Sequence, residues 1–140
     1  MKMVFADTFY WISLINPRDG WHKQVLEVTK SLTRTPIVTT DQVLVEVLAF
    51  YSKSGTRMRQ RIVQLVRNIM NNSNVQIVEQ THESFLSGLD LYESRIDKGY
   101  SLTDGISMIT MRELGIAEVL THDKHFTQEG FTILFRNLDD

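Results

Sequence analysis

The sequence predicts an α/β domain with a mostly parallel central sheet covered by helices on both faces. Three observations predict it. Short apolar, β-branched runs of strand length alternate with longer segments whose apolar residues recur at helical spacing. The connections between them are short and carry Gly, Pro, Asn or Asp where the chain must turn. Strands separated by helices return as parallel neighbours, and the crossing helices bury both faces of the sheet.

The elements follow in order. Residues 2–6 are a strand, and residues 8–16 a helix stopped by Pro17, with Asp19-Gly20 completing the turn. Residues 21–34 form a second helix, with Val25, Leu26 and Val28 among its apolar positions. Pro36 admits a short strand over 37–39. Thr39-Thr40-Asp41-Gln42 has the S/T-x-x-E/Q spacing of a capping box, so the next helix runs from there to about Ser54, where Gly55 ends it. A fourth helix over 57–70 places Ile62, Leu65, Val66 and Ile69 at helical spacing, and Asn71-Asn72-Ser73-Asn74 breaks it. Residues 75–78 are a strand. Thr81 caps a helix through about Ile96, with Gly99 at its end, and Ser101-Leu102-Thr103-Asp104 opens another that Gly115 terminates. A strand over 119–121, the loop Asp123-Lys124-His125-Phe126 and a last strand over 132–135 complete the series.

A length of 140 residues fits one domain, 1–140, long enough to bury roughly two-thirds of its unfolded surface. The longest apolar stretch, residues 43–51, is interrupted by Glu46 and too short to span a bilayer, and no signal-peptide pattern precedes the first strand. The expectation is a cytoplasmic protein with no membrane partner. With no cysteine, disulfides, thiolate zinc sites and a cysteine nucleophile are all excluded. Carboxylates and four histidines are the remaining metal ligands, and none of His22, His82, His122 and His125 has a convincing ligand spacing; for His122 and His125 the expectation is a polar surface role.

Charge is unevenly spread. The formal net charge is −2, yet the segment between Glu46 and Glu79 holds no acid and carries Lys53, Arg57, Arg59, Arg61 and Arg67, which leaves −7 on the remainder. Such a segment is either a solvated arginine-rich helix or a strip on which phosphate oxygens dock while cations bridge the substrate to an acidic centre.

That centre consists of Asp7, Glu46, Asp104 and Asp123. Asp7 ends one predicted strand, Asp123 follows another, Asp104 begins a helix, and Glu46 lies one turn beyond Gln42 on its helix. In an open α/β sheet, groups at the carboxyl ends of strands gather in one crevice. Taken singly, each acid has a structural explanation: Asp7 as a helix cap, Asp104 as the partner of Ser101 in a capping box, Asp123 as a turn former, Glu46 as a solvated residue. Glu46 fits its explanation least, because it interrupts the apolar run 43–50 and needs a partner there. Taken together, four repelling carboxylates call for cations among them, and an all-oxygen set suits magnesium or manganese.

The residues around these acids extend the pattern. Ala6-Asp7-Thr8 is followed by Trp11-Ile12 and by Asn16-Pro17-Arg18-Asp19-Gly20-Trp21-His22; Thr39-Thr40 precedes Glu46; then come Ser101-Leu102-Thr103-Asp104 and Thr121-His122-Asp123-Lys124-His125-Phe126 with Gly130-Phe131. In these motifs and their order the chain resembles the PIN-domain ribonucleases, and within them the small VapC-type toxins of toxin–antitoxin pairs. The resemblance implies a three-layer α/β/α PIN-like domain, often a homodimer, that cleaves RNA with Mg2+ or Mn2+ held by Asp7, Glu46, Asp104 and Asp123. It also implies a cognate antitoxin protein as partner. Phe9, Gly105 and His122 depart from the commoner family pattern and bear on substrate choice. Thr8, Ser101 and Thr103 are candidates to orient carboxylates or hold water behind the acids, or simply to cap helices.

Other classes remain open. Haloacid-dehalogenase-like phosphatases also begin with a strand ending in Asp, but they need a second Asp two residues on, where this chain has Phe9. A stand-alone RNA-processing nuclease and a non-catalytic module binding RNA or protein share the same motifs.

Overall fold

The computed structural model describes residues 2–136. Strands β1 (Val4–Ala6), β2 (Ile37–Thr40), β3 (Val75–Val78), β4 (Glu118–Leu120) and β5 (Thr132–Ile133) form one sheet in the order β3-β2-β1-β4-β5. Every pairing is parallel, with Phe5 opposite Val38 on one side and Val119 on the other. Phe5, Val38 and Val119 are fully buried, as strands covered on both faces require. The chain leaves β1 toward one edge through β2 and β3, then returns to its other side for β4 and β5. The order therefore reverses between β1 and β4, and a crevice opens at their carboxyl ends.

Paired helices make the crossovers. α1 (Thr8–Ile15) and α2 (His22–Ser31) link β1 to β2, α3 (Asp41–Phe50) and α4 (Thr56–Asn71) link β2 to β3, and α5 (His82–Ser94) and α6 (Leu102–Leu114) link β3 to β4. The short α7 (His125–Gln128) lies between β4 and β5.

Several boundaries differ from the sequence expectation for identifiable reasons. The cap of α3 is Thr40, whose Oγ1 accepts from the Val43 amide at 3.1 Å, not Thr39. The Thr39 hydroxyl is already committed in the core, donating to the Ala6 carbonyl at 2.9 Å and accepting from Trp11 Nε1 at 3.4 Å. α3 ends at Phe50 because the Ser52 and Ser54 amides turn back to the Ala49 and Tyr51 carbonyls, and Gly55, at φ 88°, starts α4. The expected loop at Asp123 winds into α7, with the His125 amide donating to Asp123 Oδ1 at 2.9 Å and Phe126 fully buried. β5 stops at Ile133, although the amides of Leu134 and Phe135 still reach the Val119 and Thr121 carbonyls. The Ser101–Asp104 capping box and the left-handed Gly115 at the end of α6 stand as the sequence indicates.

α5 and α6 pack unusually close, and two glycines permit it. A Cβ on Gly105 would lie 2.9 Å from the Gly88 carbonyl oxygen, and one on Gly88 would lie 2.5 Å from Ile106 Cγ1. Gly105 adjoins Asp104, so this approach also sets where that carboxylate stands. Gly105→Ala should lower stability by roughly 1–3 kcal/mol in urea denaturation, because the obstructing atom is backbone. Gly20→Ala, which meets nothing within 4 Å, should stay within about 0.5 kcal/mol of the parent chain.

Candidate active site

The crevice at the sheet's carboxyl end is a cleft of about 540 Å3 lined by Asp7, Thr8, Phe9, Glu46, Asp104, Thr121, His122, Asp123, Lys124 and Phe135. All four predicted acids are in it. They arrive from four separate segments, the ends of β1 and β4 and the early turns of α3 and α6.

Each carboxylate is oriented by a neighbour. Asp7 occupies the N-cap position of α1 but makes no side-chain capping bond; its Oδ2 accepts instead from Thr121 Oγ1 at 3.0 Å, across the crevice at the end of β4. The same Thr121 oxygen accepts from the Asp123 amide at 3.2 Å, so one buried hydroxyl ties two of the acidic segments together. Glu46 Oε1 accepts from Thr8 Oγ1 at 2.5 Å, joining α3 to α1. Asp104 does serve the capping box, its Oδ2 accepting from the Ser101 amide at 3.0 Å, while lining the cleft at the same time. The two explanations for Asp104 are thus not exclusive. The capping explanation for Asp7 is not the one the fold uses.

The electrostatics are adverse. Burial, reinforced by the charges of Asp104 and Glu46, pushes the Asp7 carboxyl up to about 7 against the opposing pull of the Thr8 amide and the Thr121 hydroxyl. Burial also raises Asp104, with Asp123 and Glu46 adding to it and the Ser101 amide and His125 opposing. Carboxylates driven upward by one another's charge are stabilised by a cation placed among them.

His125 changes the expected picture. Its Nδ1 lies 3.4 Å from Asp123 Oδ1 and 3.6 Å from Asp104 Oδ2, and it is buried with no hydrogen-bond partner among the described residues. Ligand-capable atoms of Asp104, Asp123 and His125 all lie within 4.8 Å of one another. Ligands bound at 2.0–2.6 Å around one hard cation stand roughly 3 to 5 Å apart, so this set fits a divalent ion. The expected polar surface role is modified: His125 does not line the cleft and its ring is half-buried, but its Nδ1 stands beside the Asp104–Asp123 pair. The signal was its position two residues after an acid already singled out, which linear ligand spacings do not recognise. His122, also expected at a polar surface, is exposed but stacks on Phe9 with ring centroids 4.4 Å apart, at the mouth of the same cleft.

The remaining candidates sit elsewhere. Ser101 and the buried Thr103 do not line the cleft; Ser101 acts on Asp104 from the cap. Lys53 lies in the turn after α3, and Arg57, Arg59, Arg61 and Arg67 on α4 are exposed, but none of the five lines the cleft. Arg59 donates to the Ser52 carbonyl at 2.7 Å.

Similarity to known proteins agrees with this architecture. The PIN domain family model matches residues 4–131, and the chain belongs to that family. Among solved structures, it is similar to VapC20 of Mycobacterium tuberculosis, described as a toxin that cleaves the sarcin–ricin loop. The TM-score is 0.81 at 22% identity, over 92% of this chain and 96% of that one. VapBC2 of Rickettsia felis, bound to a DNA fragment from its promoter, matches with a TM-score of 0.64 at 14% identity over 94% and 96% of the two chains. FitAcB of Neisseria gonorrhoeae matches with a TM-score of 0.65 at 13% identity over 95% and 97%. At these identities the likeness establishes the fold. No curated protein sequence matches the chain. No helix of the described residues is long and apolar enough to cross a membrane.

The raised Asp7 carboxyl fixes a pH dependence. Between the ordinary value of 3.8 and about 7 the metal-free folded chain binds more protons at Asp7 than the unfolded chain does. Stability from this group is therefore greatest at low pH, falls as pH rises through that window and levels off above it. Calorimetry in chelator should find Asp7→Asn melting several degrees higher than the parent chain at pH 8, with the gap closing toward pH 4. Added Mn2+ should raise the parent's Tm more than the variant's.

Proposed function

We propose that this PIN-domain chain is a metal-dependent endoribonuclease and the toxin of a type II toxin–antitoxin pair. The observation that carries this reading is the convergence of Asp7, Glu46, Asp104 and Asp123 in one cleft at the point where the strand order reverses. Asp7, Asp104, Glu46 and Asp123 would hold Mg2+ or Mn2+, with His125 Nδ1 beside the Asp104–Asp123 pair. Bound there, such an ion acidifies water and neutralises charge developing on the scissile phosphate.

The chain's own residues do the positioning. Thr121 fixes Asp7, Thr8 fixes Glu46, and the Ser101 amide fixes Asp104, so the carboxylates meet a cation without reorganising. No serine, cysteine or lysine nucleophile is required, and water attacking in line with the leaving oxygen leaves a 5′ phosphate and a 3′ hydroxyl. With its carboxyl raised to about 7, Asp7 is partly protonated near neutrality, so cation binding there would compete with protons and weaken as pH falls.

The fold shared with VapC20, a toxin by description, supports the toxin assignment. An antitoxin arginine entering the cleft would pair with the carboxylates and displace cation and substrate together. The exposed apolar residues Phe85, Leu89, Tyr92 and Ile96 along and just beyond α5 are where we place a homodimer contact.

Asp7→Asn and Asp104→Asn should keep the fold and lower RNA hydrolysis by orders of magnitude, measured against the parent chain with Mn2+ and with a chelator; full activity after chelation would sink the metal-dependent reading. Induced alone in a bacterial host, the parent chain should arrest growth and Asp7→Asn should not. Equal growth at matched soluble expression would favour a stand-alone RNA-processing nuclease. RNA bound but never cut under any divalent cation would favour the non-catalytic module.

The basic strip makes a separate expectation. Neutralising Arg57 and Arg61 should flatten the dependence of log K on log salt by roughly one to two units if Lys53, Arg57, Arg59, Arg61 and Arg67 contact phosphates. An unchanged slope assigns them to a solvated face.

A further inference from the structure

We propose that the aromatic pair at the mouth of the acidic cleft, His122 stacked on Phe9, is a base-stacking subsite for an unpaired nucleotide flanking the phosphate that is cut. The proposal rests on the RNA-cleaving reading above and adds how the substrate is held.

Four observations converge on it. The His122 and Phe9 rings lie face to face, 4.4 Å apart at 24°, whereas their other ring contacts are edge-on. Trp21 meets His122 at 5.2 Å and 70° and Phe9 at 5.7 Å and 86°, and Phe135 meets Phe9 at 5.4 Å and 64°. Trp21 and Phe135, their own rings 6.3 Å apart, pack at steep angles against the stacked pair, and His122 remains exposed among the described residues. Phe9, His122 and Phe135 line the same cleft as the four acids, and His122 is next to Asp123 while Phe9 is two residues from Asp7.

The chemistry selects a nucleobase. A phosphate drawn to the acids through cations carries its sugar and base to the lining of the cleft, where the exposed His122 ring is already stacked on Phe9. Single-stranded RNA is recognised by stacking its splayed bases on Phe, Tyr, Trp or His, and such stacking tolerates every base because each has a π-face. A stacking subsite there would hold an unpaired nucleotide beside the cut without selecting which base it carries.

The test is binding of a short single-stranded oligoribonucleotide in Ca2+, with the RNA verified intact afterwards, read as an affinity and by tryptophan emission in a Trp11→Phe background that isolates Trp21. His122→Ala and His122→Gln should bind about tenfold more weakly than the parent chain, and His122→Phe should restore affinity to within about twofold. The salt slope should be the same for all four proteins, because no phosphate contact is lost. An RNA lacking bases should bind the parent chain about tenfold more weakly, a comparison that needs no variant to fold, and His122→Ala should show no further loss with that RNA. Equal affinity of the parent and His122→Ala overturns the proposal, as does rescue by glutamine and not by phenylalanine, which would mark a polar contact. If the parent chain cuts RNA but base removal leaves binding unchanged, the subsite falls and the nuclease reading stands. If the parent chain binds no single-stranded RNA at all, both fall.

Discussion

Burial of carboxylates beside one another in one cleft is the constraint on which the site depends. Asp7 is buried and driven up to about 7, and Asp104 is raised for the same two reasons, desolvation and neighbouring negative charge. A fold does not hold such groups together for stability, because each costs free energy when ionised without a partner. The sheet topology imposes the arrangement. β1 and β4 are neighbours with opposite directions of onward travel, so Asp7 and Asp123 must emerge side by side, and α3 and α6 bring Glu46 and Asp104 to the same mouth.

The same chain shows what a carboxylate looks like when it is built for stability. Burial pushes Glu129 up, but hydrogen bonds from Arg95, Arg112 and Tyr100 outweigh it and hold the carboxyl below its ordinary value. Arg95 Nε and Arg112 Nη2 reach it at 2.9 and 2.7 Å, and the Tyr100 hydroxyl donates at 2.9 Å. That network clamps the segment between α5 and α6 onto the end of α7. Tyr100 in turn packs at 5.2 Å against His125, whose Nδ1 stands beside Asp104 and Asp123, so the paired acid also supports the setting of the cleft acids. The two acidic environments carry opposite shifts: Glu129, bonded by two guanidiniums and a phenol, is lowered, and Asp7 and Asp104, buried beside other carboxylates, are raised.

Hydroxyls do the fine positioning. Thr8, Thr121 and Ser101 each hold an acid or its segment, and Thr39 holds Ala6 just before Asp7. Thr8 and Ser101 were visible as candidates because they precede or follow acids in the sequence. Thr121 was visible only as a motif neighbour, since its bond to Asp7 spans 114 positions. The β-branched hydroxyls at strand ends thus serve two purposes, packing in the sheet and orienting what lies beyond it.

The sequence by itself determined the order and type of nearly every element, the parallel sheet, and the four acids. Apolar periodicity, capping residues and glycine stops are local properties, and the acids stand at element boundaries that those properties mark. It could not decide that Asp7 bonds Thr121 instead of capping α1, that Thr40 and not Thr39 caps α3, or that His125 Nδ1 is buried between two carboxylates. It could not show that His122 stacks on Phe9, or that the five basic residues stand outside the cleft lining. Those are relations between segments distant in the chain, set by strand order and helix packing. A hydroxyl or an imidazole takes whichever partner the tertiary structure brings within reach.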